Sequence, residues 1–475
     1  MGAELPLLLD AGERERLFAR LVREIERAIE EIPKGRVTPE ATVAEVRDFV
    51  AGFDFASPLE PEDALDRAVR GLTAYQTHTP HPGYWGLFNP APTTMGIAAD
   101  ALVAAFNPQL AVWAHSPFAV EVERRLVREL GTRFGWREDE ADGAFTTGGS
   151  EANHTALLTA LAAAFPETSR SGVRALAGEP RLYVSAEAHH SFQKAARASG
   201  LGTDAVRHVP VDGELRMLPS ALASAIAEDR AAGRLPFLVV ATAGTTNAGA
   251  VDPLPTIADV AERERLWLHA DAAWGGAAAL APSLAPLLDG IQRADSITFD
   301  AHKFLSVPMG AGLYLTRRRG ILEKTFRVEA PYVPPKPEGV EVLDAYERTL
   351  QWSRRFIGLK LFLSLAVAGW DGYARAIERQ TEVGALLRER LRRTGWRIAN
   401  ATPLPIVCFD DPRLDEAALV RVAAEVVGSG LSWISTTRIG GGRLVLRACV
   451  TNYRSSERDA DVLVAELDSA RRGMV

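Results

Sequence analysis

Residues 296–315 read SITFDAHKFLSVPMGAGLYL, and the reading of this stretch decides the fold. Ser296 to Phe299 is an apolar segment of β type, Gly310 to Leu315 is a second, Gly-rich segment, and Asp300-Ala301-His302-Lys303 lies between them. A lysine flanked by apolar residues and preceded by a histidine is partly desolvated, and burial can lower a lysine pKa by roughly 3–5 units. The neutral amine so favoured is the form that attacks a carbonyl to make a Schiff base. A lysine at the edge of a core that snorkels to water has the same local pattern. What lies upstream separates the two.

Outward toward the N-terminus, β-type runs recur at Asp295 to Phe299, Arg265 to Ala270 (RLWLHA), Pro236 to Thr242 (PFLVVAT) and Arg181 to Ser185 (RLYVS). Helical stretches at Pro255 to Arg263 and Ile226 to Ala232 fall between them. This alternation predicts an α/β fold with a mainly parallel sheet and helices on both faces. Ligands on such sheets bind beyond the carboxyl ends of the strands. The polar residues at those ends are His189, Thr245 with Thr246, Asp271 and Lys303. Further upstream, DGAFTTGGSEANHTALL (142–158) passes through Gly148-Gly149-Ser150-Glu151 into a helix-forming run. Glycines at a helix start let backbone N–H groups approach an anion; an ordinary start capped by Ser150 has the same letters.

Taken together, these pieces meet the needs of pyridoxal 5'-phosphate. Gly149 and Ser150 suit its phosphate, with His302 adding a hydrogen bond, and Asp271 suits the pyridinium nitrogen. Ala273 is small enough for the ring to lie flat on it, His189 can stack on the other face, and Lys303 forms the imine. Singly, Asp271 could cap a turn and His189 could be a core histidine. The pair His189-His190 has no carboxylate or cysteine nearby at ligand spacing, which argues against a metal.

The flanks divide the chain. Glu13 to Ile32 has Leu17, Leu21, Ile25, Ala28 and Ile32 at helical spacing, a helix that either folds on its own chain or packs on a second subunit. Thr77 to Pro92 (THTPHPGYWGLFNPAP) has loop composition. Its Tyr84, Trp85 and Phe88 either pack a loop core or line an apolar ligand pocket. Thr93 to Phe106 and Phe118 to Phe134 read as helices, and Arg327 to Val342, with four prolines, as a mobile loop or linker. In the tail, helices are expected at Leu343 to Val367 (with Arg354 and Arg355 inside), Val383 to Arg393, Asp415 to Val427 and Ser456 to Arg472. Strands are expected at Arg397 to Phe409, Leu431 to Ser435 and Arg443 to Cys449, a small α+β unit. The expected organisation is a helical arm (1–82), a large α/β domain (83–345) and a small C-terminal domain (346–475).

Totals narrow the class. The 475 residues are 47% apolar and 24% charged, as in ordinary globular proteins. The net charge of -7 argues against a nucleic-acid partner. Cys408 and Cys449 both lie in apolar runs and read as buried thiols of a reducing compartment. Residues 1–6 show no basic n-region and no myristoylation pattern, and no apolar run is long enough to span a bilayer. A cytoplasmic protein without a membrane partner is expected.

TTGGSEAN (146–153), SAEAHHSFQKA (185–195), AGTTNAGAVDP (243–253), HADAAWGG (269–276) and DAHKF (300–304) together resemble the group II pyridoxal-phosphate decarboxylases, the family of aromatic amino-acid and glutamate decarboxylases. NPQLAVWAHSP (107–117), SRRFIGLKLF (353–362) and LRACVTNYR (446–454) extend the resemblance over nearly the whole chain. It implies a fold type I homodimer with intertwined arms and sites at the subunit interface. It implies Lys303 as the cofactor lysine, His189 as the ring-stacking and catalytic histidine, Asp271 as the pyridinium partner, Thr246 beside the cofactor, and Gly149 and Ser150 at its phosphate. Tyr332 falls where the family has a mobile loop whose tyrosine is thought to protonate the α-carbon after CO2 leaves; relatives with phenylalanine there tend to give aldehydes. The implied reaction is decarboxylation of an L-amino acid, with Trp85 and Phe88 favouring an aromatic or apolar side chain. Arg447 either meets a substrate carboxylate or braces the small domain. Aldehyde formation, transamination, carbon–carbon lyase chemistry and a non-enzymatic role are the competing readings. One departure stands out: many aromatic decarboxylases have Asn-Pro before the His-Lys pair, and this chain has Asp300-Ala301. An acid so near a phosphate is unfavourable unless it points away or is hydrogen-bonded.

Overall fold

The computed structural model describes residues 7–474; the absence of an n-region read from residues 1–6 lies outside them. Seven strands form the large sheet: β1 (Asp142–Thr146), β2 (Pro180–Ser185), β3 (Val206–Val209), β4 (Leu235–Thr242), β5 (Trp267–Asp271), β6 (Ser296–Asp300) and β7 (Gly312–Thr316). Their order is β1-β7-β6-β5-β4-β2-β3. β2 to β6 pair in parallel, and β7 runs against both of its neighbours.

The period of two in the sequence explains the layers. Along β4, Val239 and Ala241 enter one core while Leu238 and Val240 enter the other. Every residue from Phe237 to Thr242 is buried, as expected for a strand covered on both faces. β3, too polar at Arg207 and His208 to stand out in the sequence, closes one edge.

Of the helices before β2, none of the first three, α1 (Ala11–Glu31), α2 (Val43–Ala51) and α3 (Pro61–Ala74), has a buried residue. On α1, Phe18 and Val22 are both more than half exposed, at 58% and 57%. α4 (Thr94–Phe106), α5 (Pro117–Arg133) and α6 (Gly149–Ala164) follow. The small antiparallel sheet comprises β8 (Arg397–Ile398), β9 (Ile406–Asp410), β10 (Ser435–Ile439) and β11 (Arg443–Cys449), in the order β10-β11-β9-β8. Helices Glu416–Ser429 and Glu457–Arg472 cover it, with the C-terminal half of the long helix Gly358–Arg393, which kinks at Gly369. Cys408 and Cys449 are both buried and unpaired.

Several expected elements shift. Leu343 to Val367 is not one helix: a short 3-10 turn at Ala345–Glu347 is followed by irregular chain, and the long helix starts only at Gly358. The cause is a buried ion pair. Arg354 forks onto Glu123 of α5 at 3.1 and 2.6 Å, and Glu123 also accepts the Gly358 N–H at 3.1 Å, so the chain is pinned in irregular form until Gly358. Residues 397–409 are two strands, not one, because Pro403 and Pro405 lie in the intervening 399–405 segment. Leu431 to Ile434 is not a strand of the sheet; Trp433 exchanges backbone hydrogen bonds with Gly83 and Trp85, and β10 begins at Ser435. A local reading cannot see a partner so far upstream. Finally, Gly148, not Ser150, caps α6.

Candidate active site

The turn after β6 fixes the lysine. Lys303 N–H donates to Asp300 O, and Ser306 N–H donates to Lys303 O. Ser306 takes φ 56°, a left-handed conformation costing about 1–3 kcal/mol that persists only where surroundings hold it. Its buried carbonyl accepts Thr93 N–H at 2.7 Å. Lys303 Nζ then points into a cleft of about 350 Å³ at the carboxyl ends of the parallel strands.

That cleft gathers Gly149, Ser150, His189, Thr246, Asp271, Ala273, His302 and Lys303, the eight residues expected around a cofactor. Register explains the convergence. Thr242 pairs with Asp271, Asp271 with Thr298, and both Asp300 and Thr146 pair with Gly312, so four loops open at one sheet end. Gly312 is a place where only hydrogen fits: a Cβ there would lie 2.6 Å from the backbone of Gly148. This close approach seats the start of α6 against the sheet. The N–H groups of Gly149 and Ser150 have no partner among the described residues. They face the cleft beside His302, whose Cε1 would lie 3.5 Å from a Cβ on Gly148. Ala311 N–H donates to His302 Nδ1 at 3.2 Å, which leaves Nε2 as the proton-bearing nitrogen. Burial holds the His302 imidazole below its ordinary range, so the ring is a neutral donor.

His189 follows the same logic. Ser191 N–H donates to its Nδ1 at 3.2 Å, and burial of its inner side lowers its pKa against the opposing pull of Asp271. Its outer side is open.

Asp271 ends a chain of hydrogen bonds that sequence reading missed. Trp267 Nε1–H donates to Ser296 Oγ at 2.9 Å, and Ser296 Oγ lies 2.8 Å from His269 Nδ1. His269 Nε2 lies 3.2 Å from Asn153 Oδ1, and Asn153 Nδ2 donates to Asp271 Oδ2 at 2.9 Å and Ser191 Oγ at 2.8 Å. With both Asn153 donors used, its oxygen must accept, so His269 carries its proton on Nε2 and accepts the Ser296 hydroxyl on Nδ1. Every polarity agrees. Ala273 N–H gives Asp271 Oδ1 a further bond at 3.2 Å. Asn153 and His269 were present in the TTGGSEAN and HADAAWGG runs, but nothing local marked them as neighbours.

His269 is fully buried, and desolvation pushes it down to about 3. A histidine depressed from about 6.5 contributes stability that is whole above the unfolded pKa and is lost as pH falls toward the folded one. The free energy of unfolding should therefore drop between pH 6.5 and 3, by on the order of a few kcal/mol in total. His269→Gln should flatten that part of the profile; an equally steep profile in the variant would refute the assignment.

The remaining candidates separate. Phe88 sits at the site: its ring is 5.6 Å from Lys303 Nζ and 5.2 Å from Arg447 Cζ, and it stacks on Trp274 at 4.7 Å. Trp85 does not. It is completely buried in the small-domain core with Val407, Leu446 and Val450, so the expected substrate contact is withdrawn. Arg447, on β11, donates to Gly86 O at 2.8 Å and Thr246 O at 3.1 Å, and its buried Nη2 has no partner. Bracing thus uses part of the guanidinium and leaves one nitrogen free. Tyr332 is 76% exposed, rests 5.9 Å from the Trp352 ring and is not among the residues lining the cleft of its own chain.

The residues fit pyridoxal phosphate: a helix start with free N–H groups, a neutral histidine donor, a buried carboxylate and one primary amine share the cleft. Comparison with known proteins agrees. Residues 48–411 match the model of the pyridoxal-dependent decarboxylase conserved domain. The chain is 35% identical over 434 residues to human (Homo sapiens) cysteine sulfinic acid decarboxylase, covering 88% of this chain and 87% of that one. It is 32% identical over 414 residues to the aromatic-L-amino-acid decarboxylase of Bacillus atrophaeus, covering 84% and 83%. The crystal structure of mouse CSAD superposes with a TM-score of 0.91 at 28% identity, over 97% of this chain and 99% of that one.

Proposed function

This chain belongs to the pyridoxal-dependent decarboxylases, carboxy-lyases of amino acids, and from that premise we propose that its substrate is an L-amino acid with an aromatic or apolar side chain. The observation that carries the proposal is the pairing of Phe88 with Arg447 beside Lys303. A spare, desolvated guanidinium nitrogen suits a carboxylate, and a clamped phenyl ring suits an apolar side chain.

When bound, the cofactor supplies an electron-poor ring that takes up the electron pair left as CO2 departs. The chain's residues do the rest. Gly149, Ser150 and His302 would hold the phosphate, and Asp271 would keep the ring nitrogen protonated. Ala273 and His189 would hold the ring, with Thr246 in the same cleft. Lys303 would supply the amine that holds the cofactor's carbonyl end. Arg447 would hold the substrate carboxylate through its unpartnered Nη2. Tyr332 returns a proton to the α-carbon.

Tyr332 lies outside its own cleft, so we assign it to the site of a second subunit in a homodimer. Exposed apolar side chains on α1 and α4 (Phe18, Val22, Leu102 and Phe106) supply surface for that dimer. Sedimentation should give twice the chain mass of 51.4 kDa. A panel of aromatic, apolar and acidic L-amino acids should yield amine and CO2, fastest with the aromatic group. Tyr332→Phe should divert product toward aldehyde and ammonia. Preference for acidic substrates would overturn the substrate reading, and an unchanged product ratio would overturn the role of Tyr332.

A further inference from the structure

The acid at position 300 has no evident reason to be where it is. Asp300 ends β6 and is 1% exposed. Its Oδ2 lies 2.9 Å from Lys303 Nζ, and its buried Oδ1 has no hydrogen-bond partner. A Cβ on Gly149 would stand 2.7 Å from Oδ2 and 3.3 Å from the Ala273 methyl, so the carboxylate is pressed against the first residue of α6. The free N–H groups of a helix start attract negative charge. A carboxylate and a phosphate are therefore aimed at one cradle. Among the described residues lining the cleft there is no second lysine and no arginine to neutralise the excess. Lys360 is held by Asp100 Oδ2 at 3.2 Å and Met309 O at 2.9 Å, and burial lowers the pKa of both His302 and His189. Glu151, in the first turn of α6, adds a further acid, engaged by Thr147 and Gln351.

We propose that Asp300 is an internal anion that competes with the cofactor's phosphate for the start of α6, and so sets how tightly the phosphate end is held. The inference rests on the cofactor assignment but not on the substrate or the reaction. Like charges a few ångströms apart at such a site repel strongly enough to change affinity by about one to two powers of ten.

The test is a binding measurement on the cofactor-free full chain, titrated with pyridoxal 5'-phosphate and with pyridoxal, followed by protein fluorescence. Asp300→Asn also frees Lys303 from its counter-ion, but that change acts on both ligands alike, so their affinity ratio isolates the phosphate. The variant should raise the preference for the phosphorylated ligand by about 10- to 100-fold and should bind inorganic phosphate more tightly. A rise below about fivefold, or equal tightening of both ligands, overturns the proposal. Asp300→Ala serves under the same criterion if the asparagine variant folds poorly. Failure to bind either ligand in the unmutated chain would count against the cofactor site itself, a separate result.

Discussion

Lys303→Ala should abolish CO2 release, by on the order of 10^4-fold or more, and should remove the visible absorption band of the lysine-bound cofactor. The size follows from the absence of a substitute. Lys303 carries the one primary amine lining the cleft, and Lys360 Nζ, the nearby alternative, is tied to Asp100 and Met309. The substitution also strips Asp300 of its ion-pair partner, and an uncompensated buried charge destabilises by roughly 3–5 kcal/mol. The double variant Lys303→Ala/Asp300→Asn removes both charges and separates chemistry from folding. If that double variant keeps the fold, and still releases CO2 within tenfold of the parent, Lys303 is not the reacting amine.

Asp271→Asn should lower turnover about a thousandfold while leaving Lys303 able to take up the cofactor. Two opposite charges about 4 Å apart are worth roughly 4 kcal/mol at an effective dielectric near 20, and about 1.4 kcal/mol is tenfold in rate. Asparagine keeps the shape and loses the charge. It also presents an amide where the carboxylate accepted both Asn153 Nδ2–H and Ala273 N–H, so one donor must go unpaired. Loss concentrated in turnover, with cofactor affinity changed much less, is the expected signature. Activity within tenfold of the parent would show that Asp271 does not govern the ring's electron demand.

The sequence made these two residues easy to find because Asp271 ends a strand and Lys303 follows one by three residues, and strand ends are legible from apolar runs bounded by polar residues. The same rule brought His189 and Thr246 to the cleft. It failed where the deciding contact is distant. Trp85 reads as a loop aromatic until the small sheet closes over it. Arg354 reads as helical until Glu123 of α5 takes its guanidinium. Asn153 and His269 look like filler in their motifs, because the alignment of donors and acceptors between them exists only once α6 lies across β5. Asp300 is a mixed case: the sequence marked it as an anomaly, and the structure supplied its partner in Lys303.

The reversed strand has a consequence for how the molecule comes into being. β1 pairs with β7 alone, and β7 is the last strand of the large sheet to be synthesised. Until it emerges from the ribosome, β1 stays unpaired and β6 is an open edge, which are features of slow, sticky folding intermediates. Gly312, whose close approach to Gly148 seats the start of α6, arrives with β7, so the phosphate end of the site is complete only when residues 312–316 slot in. Cofactor capture must then be a late step in maturation, and a nascent chain truncated before β7 would have the lysine but nowhere to lodge the phosphate.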